Sequence, residues 1–131
     1  MSKKIHIALG CDHAGFSCKE AVLNYLAANG YEVKDYGTYS ADSVDYPDFV
    51  HPVANSVQNG DAEFGIIMCG SGNGAAITAN KHKGIRAALC WNTEIAELAR
   101  LHNDANIISI PVRFIFIDDA IEMLDTFLNT K

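Results

Sequence analysis

The stretch Phe64-Gly65-Ile66-Ile67-Met68-Cys69-Gly70-Ser71-Gly72-Asn73-Gly74-Ala75 changes character at its midpoint. Residues 64–69 are apolar or small, with no polar alternation. Such a run fits a strand covered on both faces. Three glycines then fall within positions 70–74, so the backbone can bend sharply and come close to a ligand. The spacing after the turn predicts a helix ending near Gly84. Strand, glycine turn and helix make one β–α unit, and the rest of the chain repeats that unit on either side.

Before this stretch, residues 5–9 read as a strand and residues 16–28 as a helix. Phe16, Val22, Leu23 and Leu26 share one face of that helix, and Asn29-Gly30 is its stop. Residues 32–36 form a second strand, followed by a polar stretch over 37–45. That stretch is long enough to be functional rather than a plain connector. Pro47 opens the next helix, where its missing N–H costs nothing. This helix buries Phe49, Val50, Val53 and Val57 and stops near Gly60. After the central unit come a strand over 86–90, a helix opened by Asn92 or Thr93, and a strand over 106–110. A last helix from near Asp118 buries Ile121, Leu124, Phe127 and Leu128. Five strands alternating with five helices predict an α/β fold, a parallel sheet with helices on both faces. No linker or repeat interrupts residues 1–131, which read as a single domain.

The 131 residues suffice for one real core. A formal net charge of −6 argues against a nucleic-acid binder, yet a local cluster of donors can still hold an anionic substrate. No apolar run approaches the roughly 18 residues of a membrane span. Met1-Ser2-Lys3-Lys4 leads straight into a strand with no leader-like core, so a cytoplasmic location is expected. Cys11, Cys18, Cys69 and Cys90 form no C-x-x-C pair and are expected to be free thiols.

In parallel sheets of this kind, ligands sit outside the carboxyl ends of the strands. The first strand leads into Asp12-His13, an acid and an imidazole suited to proton handling or to sugar and phosphate contacts; a helix cap and a turn residue are the alternatives. Cys69 is either a small buried hydrophobe or a base or nucleophile. In the second case the turn's free N–H groups and the helix dipole would lower its pKa and hold an anion. His102 is a candidate acid or base and Asn103 a donor to an oxyanion, unless the loop is there for its turn chemistry. Arg113 suits phosphate, or is a surface charge. Tyr46 lies in Asp45-Tyr46-Pro47, which either covers the site or starts a helix. The turn has neither a Walker A ending nor dinucleotide-fold spacing. His6, His51 and His82 receive no role, and Cys11, Cys18 and Cys90 read as packing residues.

Six motifs occur in order: Gly10-Cys11-Asp12-His13-Ala14-Gly15, Asp45-Tyr46-Pro47, Cys69 to Gly74, Ala79-Asn80-Lys81, Gly84-Ile85-Arg86-Ala87 and His102-Asn103-Asp104-Ala105-Asn106. Over essentially the whole chain this set resembles type B ribose-5-phosphate isomerase, of the ribose/galactose isomerase family. The resemblance implies a Rossmann-like, three-layer α/β/α sandwich around a five-stranded parallel sheet. It implies interconversion of ribose 5-phosphate and ribulose 5-phosphate through an enediolate, with no metal and no other cofactor. It also implies Cys69 as the base and the amides of Gly70, Ser71, Gly72, Asn73 and Gly74, with Ser71, as the anion hole. Asp12, His13, Tyr46 and Asn103 would bind substrate, His102 would open the sugar ring, and Arg113 would hold phosphate. The implied assembly is a homodimer or homotetramer with sites shared between subunits. Some members use a Glu soon after the turn; here that position is Ala75, which matches the cysteine-dependent kind. The family usually continues into an arginine-bearing Gly-Gly-Arg-His segment; the sequence runs to Thr130-Lys131, so either that segment lies outside it or phosphate is held more weakly or differently here.

Allose 6-phosphate or galactose 6-phosphate is the alternative substrate within the same chemistry. A phosphoacceptor module would need an aspartate where Cys69 stands. A metal-dependent hydrolase using Asp12, His13, His102 and Asp104 lacks the helical His-x-x-x-His spacing of common sites.

Overall fold

The computed structural model describes residues 4–131. Met1, Ser2 and Lys3, part of the start read above as having no leader, lie outside the described residues. Strands β1 (His6–Cys11), β2 (Glu32–Asp35), β3 (Phe64–Cys69), β4 (Ala87–Leu89) and β5 (Ile107–Pro111) alternate with helices α1 (Phe16–Ala28), α2 (Pro47–Gln58), α3 (Asn73–Ala79), α4 (Thr93–Asn103) and α5 (Ile117–Asn129). All strand pairings are parallel, in the order β2-β1-β3-β5-β4. The chain builds outward from β1 to β2 and then returns to place β3 on the other side of β1. This leaves a switch point between β1 and β3, the place where sheets of this kind bind ligands at their carboxyl edge.

The twofold alternation of each strand sorts the core into two layers. Ile7, Leu9, Ile66, Met68, Ile108 and Ile110 face one side, where Val22 and Leu26 of α1, Ala96 and Ala99 of α4 and Met123, Leu124 and Phe127 of α5 cover them. Ala8, Ile67, Cys69 and Ile107 face the other side, under Val50, Val53 and Ala54 of α2 and Ala75 and Ala79 of α3. Each fully buried Leu, Ile or Phe contributes about 1.5–3 kcal/mol relative to exposure. The layer of α2 and α3 is built from small residues, so these helices lie close to the sheet and to Cys69.

The expected elements are all present, with shifts at their ends. β1 runs on through Gly10 and Cys11, because Cys11 pairs in register with Met68. Helix α3 stops at Ala79 rather than near Gly84. The Asn80 side chain leaves the helix to bond the backbone of Ala87, donating to its carbonyl at 2.9 Å and accepting its N–H at 2.8 Å. On α1, Phe16 and Leu23 are only half-buried, while Lys19 is buried in their company. Asn92 is the N-cap of α4 and accepts the Ile95 N–H at 2.9 Å. Among the described residues, no helix is long and apolar enough to cross a membrane.

Three cysteines are buried as free thiols: Cys11, Cys69 and Cys90. Burial pushes their thiols up, from 9.0 to about 11 for Cys11 and about 12 for Cys69 and Cys90. A thiol raised on folding adds stability that is complete below pH 9.0 and is lost as pH climbs toward 12. Urea midpoints are therefore expected to fall between pH 8 and pH 10.5, and to fall less in Cys90→Ala. An equal slope in that variant would remove Cys90 from the account.

Candidate active site

The site is assembled where β1 and β3 end side by side. The Asp12 N–H donates to the Met68 carbonyl at 3.3 Å, which sets the first residue after β1 against the last turn of β3. Asp12 is buried, and its Oδ1 accepts the N–H groups of Ala14 at 2.9 Å and Gly15 at 3.2 Å. The carboxylate therefore caps the turn into α1 and still lies within reach of the Cys69 sulfur's field. His13 is half-buried, and its Nδ1 accepts the Val44 N–H at 3.2 Å. A neutral His13 ring held this way carries its hydrogen on Nε2.

Cys69 projects toward the α2/α3 layer and is 5% exposed. The expected lowering of its pKa is not what the environment produces. Burial pushes the thiol up to about 12, the Asp12 carboxylate adds to the rise, and the Asp12 backbone N–H opposes it. In the free protein at neutral pH, Cys69 is a thiol.

The turn after Cys69 depends on Gly72, which has a φ of 76° and serves as N-cap of α3. A Cβ there would sit 2.6 Å from Leu89 Cδ1. The Gly72 carbonyl accepts a hydrogen bond at 2.8 Å from the hydroxyl of Ser109, which is fully buried on β5. Asn73 N–H is taken by Ser71 Oγ at 3.3 Å. Among the described residues, the N–H groups of Ser71, Gly72 and Gly74 have no acceptor. Tyr46 lies over this turn: a Cβ on Gly74 would meet its hydroxyl oxygen at 2.5 Å. Arg113 closes the other flank. Its backbone N–H donates to the Gly70 carbonyl at 3.1 Å, and its guanidinium packs against Gly70. Among the described residues no carboxylate pairs with Arg113.

Asp12, His13, Tyr46, Cys69, the Gly70–Gly74 turn and Arg113 thus share one edge of the sheet. His102 and Asn103 do not. They end α4 at the amino edge, exposed, where the Asn103 carbonyl accepts from Arg86 Nε. Gly65 is the β3 residue in register with the start of β5, and four residues of strand, about 13 Å, separate it from Cys69. One chain therefore does not bring His102 to Cys69.

Two contributors escaped the sequence reading, Ser109 and Lys19. Serine at the fourth of the five residues 106–110 was passed over as part of an apolar strand. Lysine on an amphipathic helix looks like a surface charge. Lys19 is instead 6% exposed, with Nζ 2.7 Å from Asp35 Oδ2. Among the described residues, no three of His, Cys, Asp and Glu converge in a metal-binding group.

This arrangement puts an acid beside a thiol, with free backbone donors and an unpaired guanidinium, at a switch point, a set of groups chemically able to bind an anion and exchange protons with it. The model of the Ribose/Galactose Isomerase family matches residues 7–131, and the chain belongs to that family. It is 40% identical over 125 residues to ribose-5-phosphate isomerase B of Escherichia coli, covering 95% of this chain and 84% of that protein. The crystal structure of a ribose 5-phosphate isomerase from Thermotoga maritima superposes with a TM-score of 0.94 at 50% identity, covering 98% of this chain and 88% of the other. The Mycoplasma genitalium ribose-5-phosphate isomerase B structure, which holds ribulose-5-phosphate, gives a TM-score of 0.94 at 36% identity over 99% and 87% of the two chains.

Ser109→Ala removes one of the two donors to the Gly72 carbonyl, which keeps the Ala76 N–H at 3.0 Å. It should cost about 0.5–1.5 kcal/mol, the net worth of one hydrogen bond whose acceptor keeps another partner. Denaturant melts measure this, and a change within error would show that the hydroxyl is idle.

Proposed function

We propose that this chain interconverts D-ribose 5-phosphate and D-ribulose 5-phosphate through an enediolate, with Cys69 as the base. The observation that supports this most is the meeting of Cys69, unbonded turn amides and Arg113 at one sheet edge. In the open-chain aldose, the Cys69 thiolate takes the proton from C2. The C–H electron pair becomes the C1=C2 bond, and negative charge collects on O1. The N–H groups of Ser71, Gly72 and Gly74 are free to hold that oxygen. The proton returns to C1, and the C2 hydroxyl loses its own proton to become the ketone as O1 gains one. Asp12 and the His13 Nε2–H hold sugar hydroxyls, Tyr46 covers the sugar, and Arg113 binds phosphate as a planar fork.

A thiol near 12 is a poor base until something lowers it. A sugar hydroxyl donating to Asp12 disperses the carboxylate charge that adds to the rise, while burial, the larger cause, is left for the turn's N–H groups to offset. Ring opening falls to His102, with Asn103 assisting. Their place at the amino edge supports a reading in which they serve the site of a second copy, in a homodimer or homotetramer with shared sites. Tight placement of both halves is what makes such proton transfers fast.

Cys69→Ala should lower kcat on ribose 5-phosphate by about 10²–10⁴-fold, the range for loss of a general base. Its melting temperature should stay close to that of the parent. An unimpaired variant would remove Cys69 from the mechanism, and a faster rate on allose 6-phosphate or galactose 6-phosphate would move the substrate to six carbons. Sharing of sites is checked by mixing: Cys69→Ala and His102→Ala, each inactive, should regain about a quarter of parental activity after joint refolding, because half the dimers then hold one intact site of two. No recovery would place both residues in one chain's site.

A further inference from the structure

The role of Lys19 is unexplained by helix packing. It lies in the first turn of α1 and is 6% exposed, between solvent-facing Ser17 and Glu20. A buried ammonium persists only with a full set of partners. All its close polar partners come from one short segment. Nζ is 2.7 Å from Asp35 Oδ2, 2.5 Å from the Thr38 carbonyl oxygen and 4.5 Å from the centre of the Tyr39 ring. The same segment is tied to itself: Gly37 N–H donates to Asp35 Oδ1 at 2.9 Å, and the Tyr39 hydroxyl donates to the Asp35 carbonyl at 2.7 Å. One charge on α1 thus ties together Asp35, Thr38 and Tyr39 in the stem of the connection from β2 to α2.

The far end of this connection carries two groups of the site. Its Val44 N–H meets His13 Nδ1, and Tyr46 lies on Gly74. Between them, residues 40–43 are exposed, and their bonds are local, from Ser40 to Asp42. The path of the connection is therefore set by its two ends, the stem and the start of α2. The stem is held by the Lys19 cluster on its side-chain side and by the backbone of β1, where Cys11 N–H donates to the Gly37 carbonyl and Thr38 N–H to the Cys11 carbonyl, each at 2.7 Å.

We propose that Lys19 is a positioning residue for the sugar-phosphate site: its ammonium fixes the 35–39 stem, and through it the ring tautomer of His13 and the height of Tyr46 over the glycine turn. This rests on the reading that His13 and Tyr46 contact substrate. Both groups would hold the ground state and the transition state alike, so their displacement weakens binding more than turnover.

The test compares the parent, Lys19→Met and Lys19→Met/Asp35→Asn. The double variant removes the carboxylate that the single one strands, so it recovers folding if the single one loses it. Each is followed by thermal melting, by ¹⁵N resonances of the His13 ring and by kinetics on ribose 5-phosphate. Both variants should show a mixture of His13 tautomers where the parent shows hydrogen on Nε2 alone, and KM should rise about tenfold with kcat within about threefold. In the double variant the melting temperature should recover while KM and the tautomer mixture do not. Parental His13 resonances and KM in either variant would overturn the proposal, as would a recovery of both in step with melting temperature. If the parent fails to convert ribose 5-phosphate, the reading of the site falls alone, and the His13 resonances still decide the role of Lys19.

Discussion

Parallel pairing of β1 with β3 is the constraint on which the rest of the molecule depends. It fixes the register of Cys11 against Met68 and so brings the residue after β1 against the end of β3. Asp12 and Cys69 become neighbours from positions 57 residues apart in the chain. The cost of closing so long a connection is modest, since loop entropy grows only slowly with length. The apolar run of β3, covered on both faces, supplies the burial that offsets it. The glycine turn has a place to stand because β3 ends there, and β5 lies alongside to lend Ser109 and Arg113.

The electrostatics at this junction pull in opposite directions. Burial and a carboxylate keep the Cys69 proton on, while unbonded backbone N–H groups and an unpaired guanidinium stand ready for an anion. The empty protein is therefore arranged with donors for a charge that it does not itself carry.

Much of this was legible in the residues. Strand β3 and helix α1 have the boundaries expected from their patterns, because a continuous apolar run and a glycine stop are local signals. The Asn92 cap is likewise local. The end of α3 was not, since Asn80 leaves the helix for a partner seven residues on that only the folded β4 presents. The gathering of Asp12, His13, Tyr46, Cys69 and Arg113 followed from the rule that parallel sheets work at their carboxyl edge. The sign of the shift at Cys69 did not follow, because it depends on depth of burial and on Asp12, neither of which a motif states. Lys19 and Ser109 were missed for the same reason. Each is one polar residue in an apolar pattern, and its partner comes from a different strand or loop.

The clearance at Gly74 has a consequence for how such a chain can change over generations. Tyr46 fills the space that any side chain at residue 74 would need. The two positions therefore cannot drift independently. A lineage that enlarges residue 74 must first shorten or turn aside residue 46, and an exchange at 46 relaxes the demand for glycine across the turn. Where the Tyr46 ring keeps its place, viable paths pass through paired substitution, and the two sites then carry a joint record of descent even though 28 positions of sequence separate them.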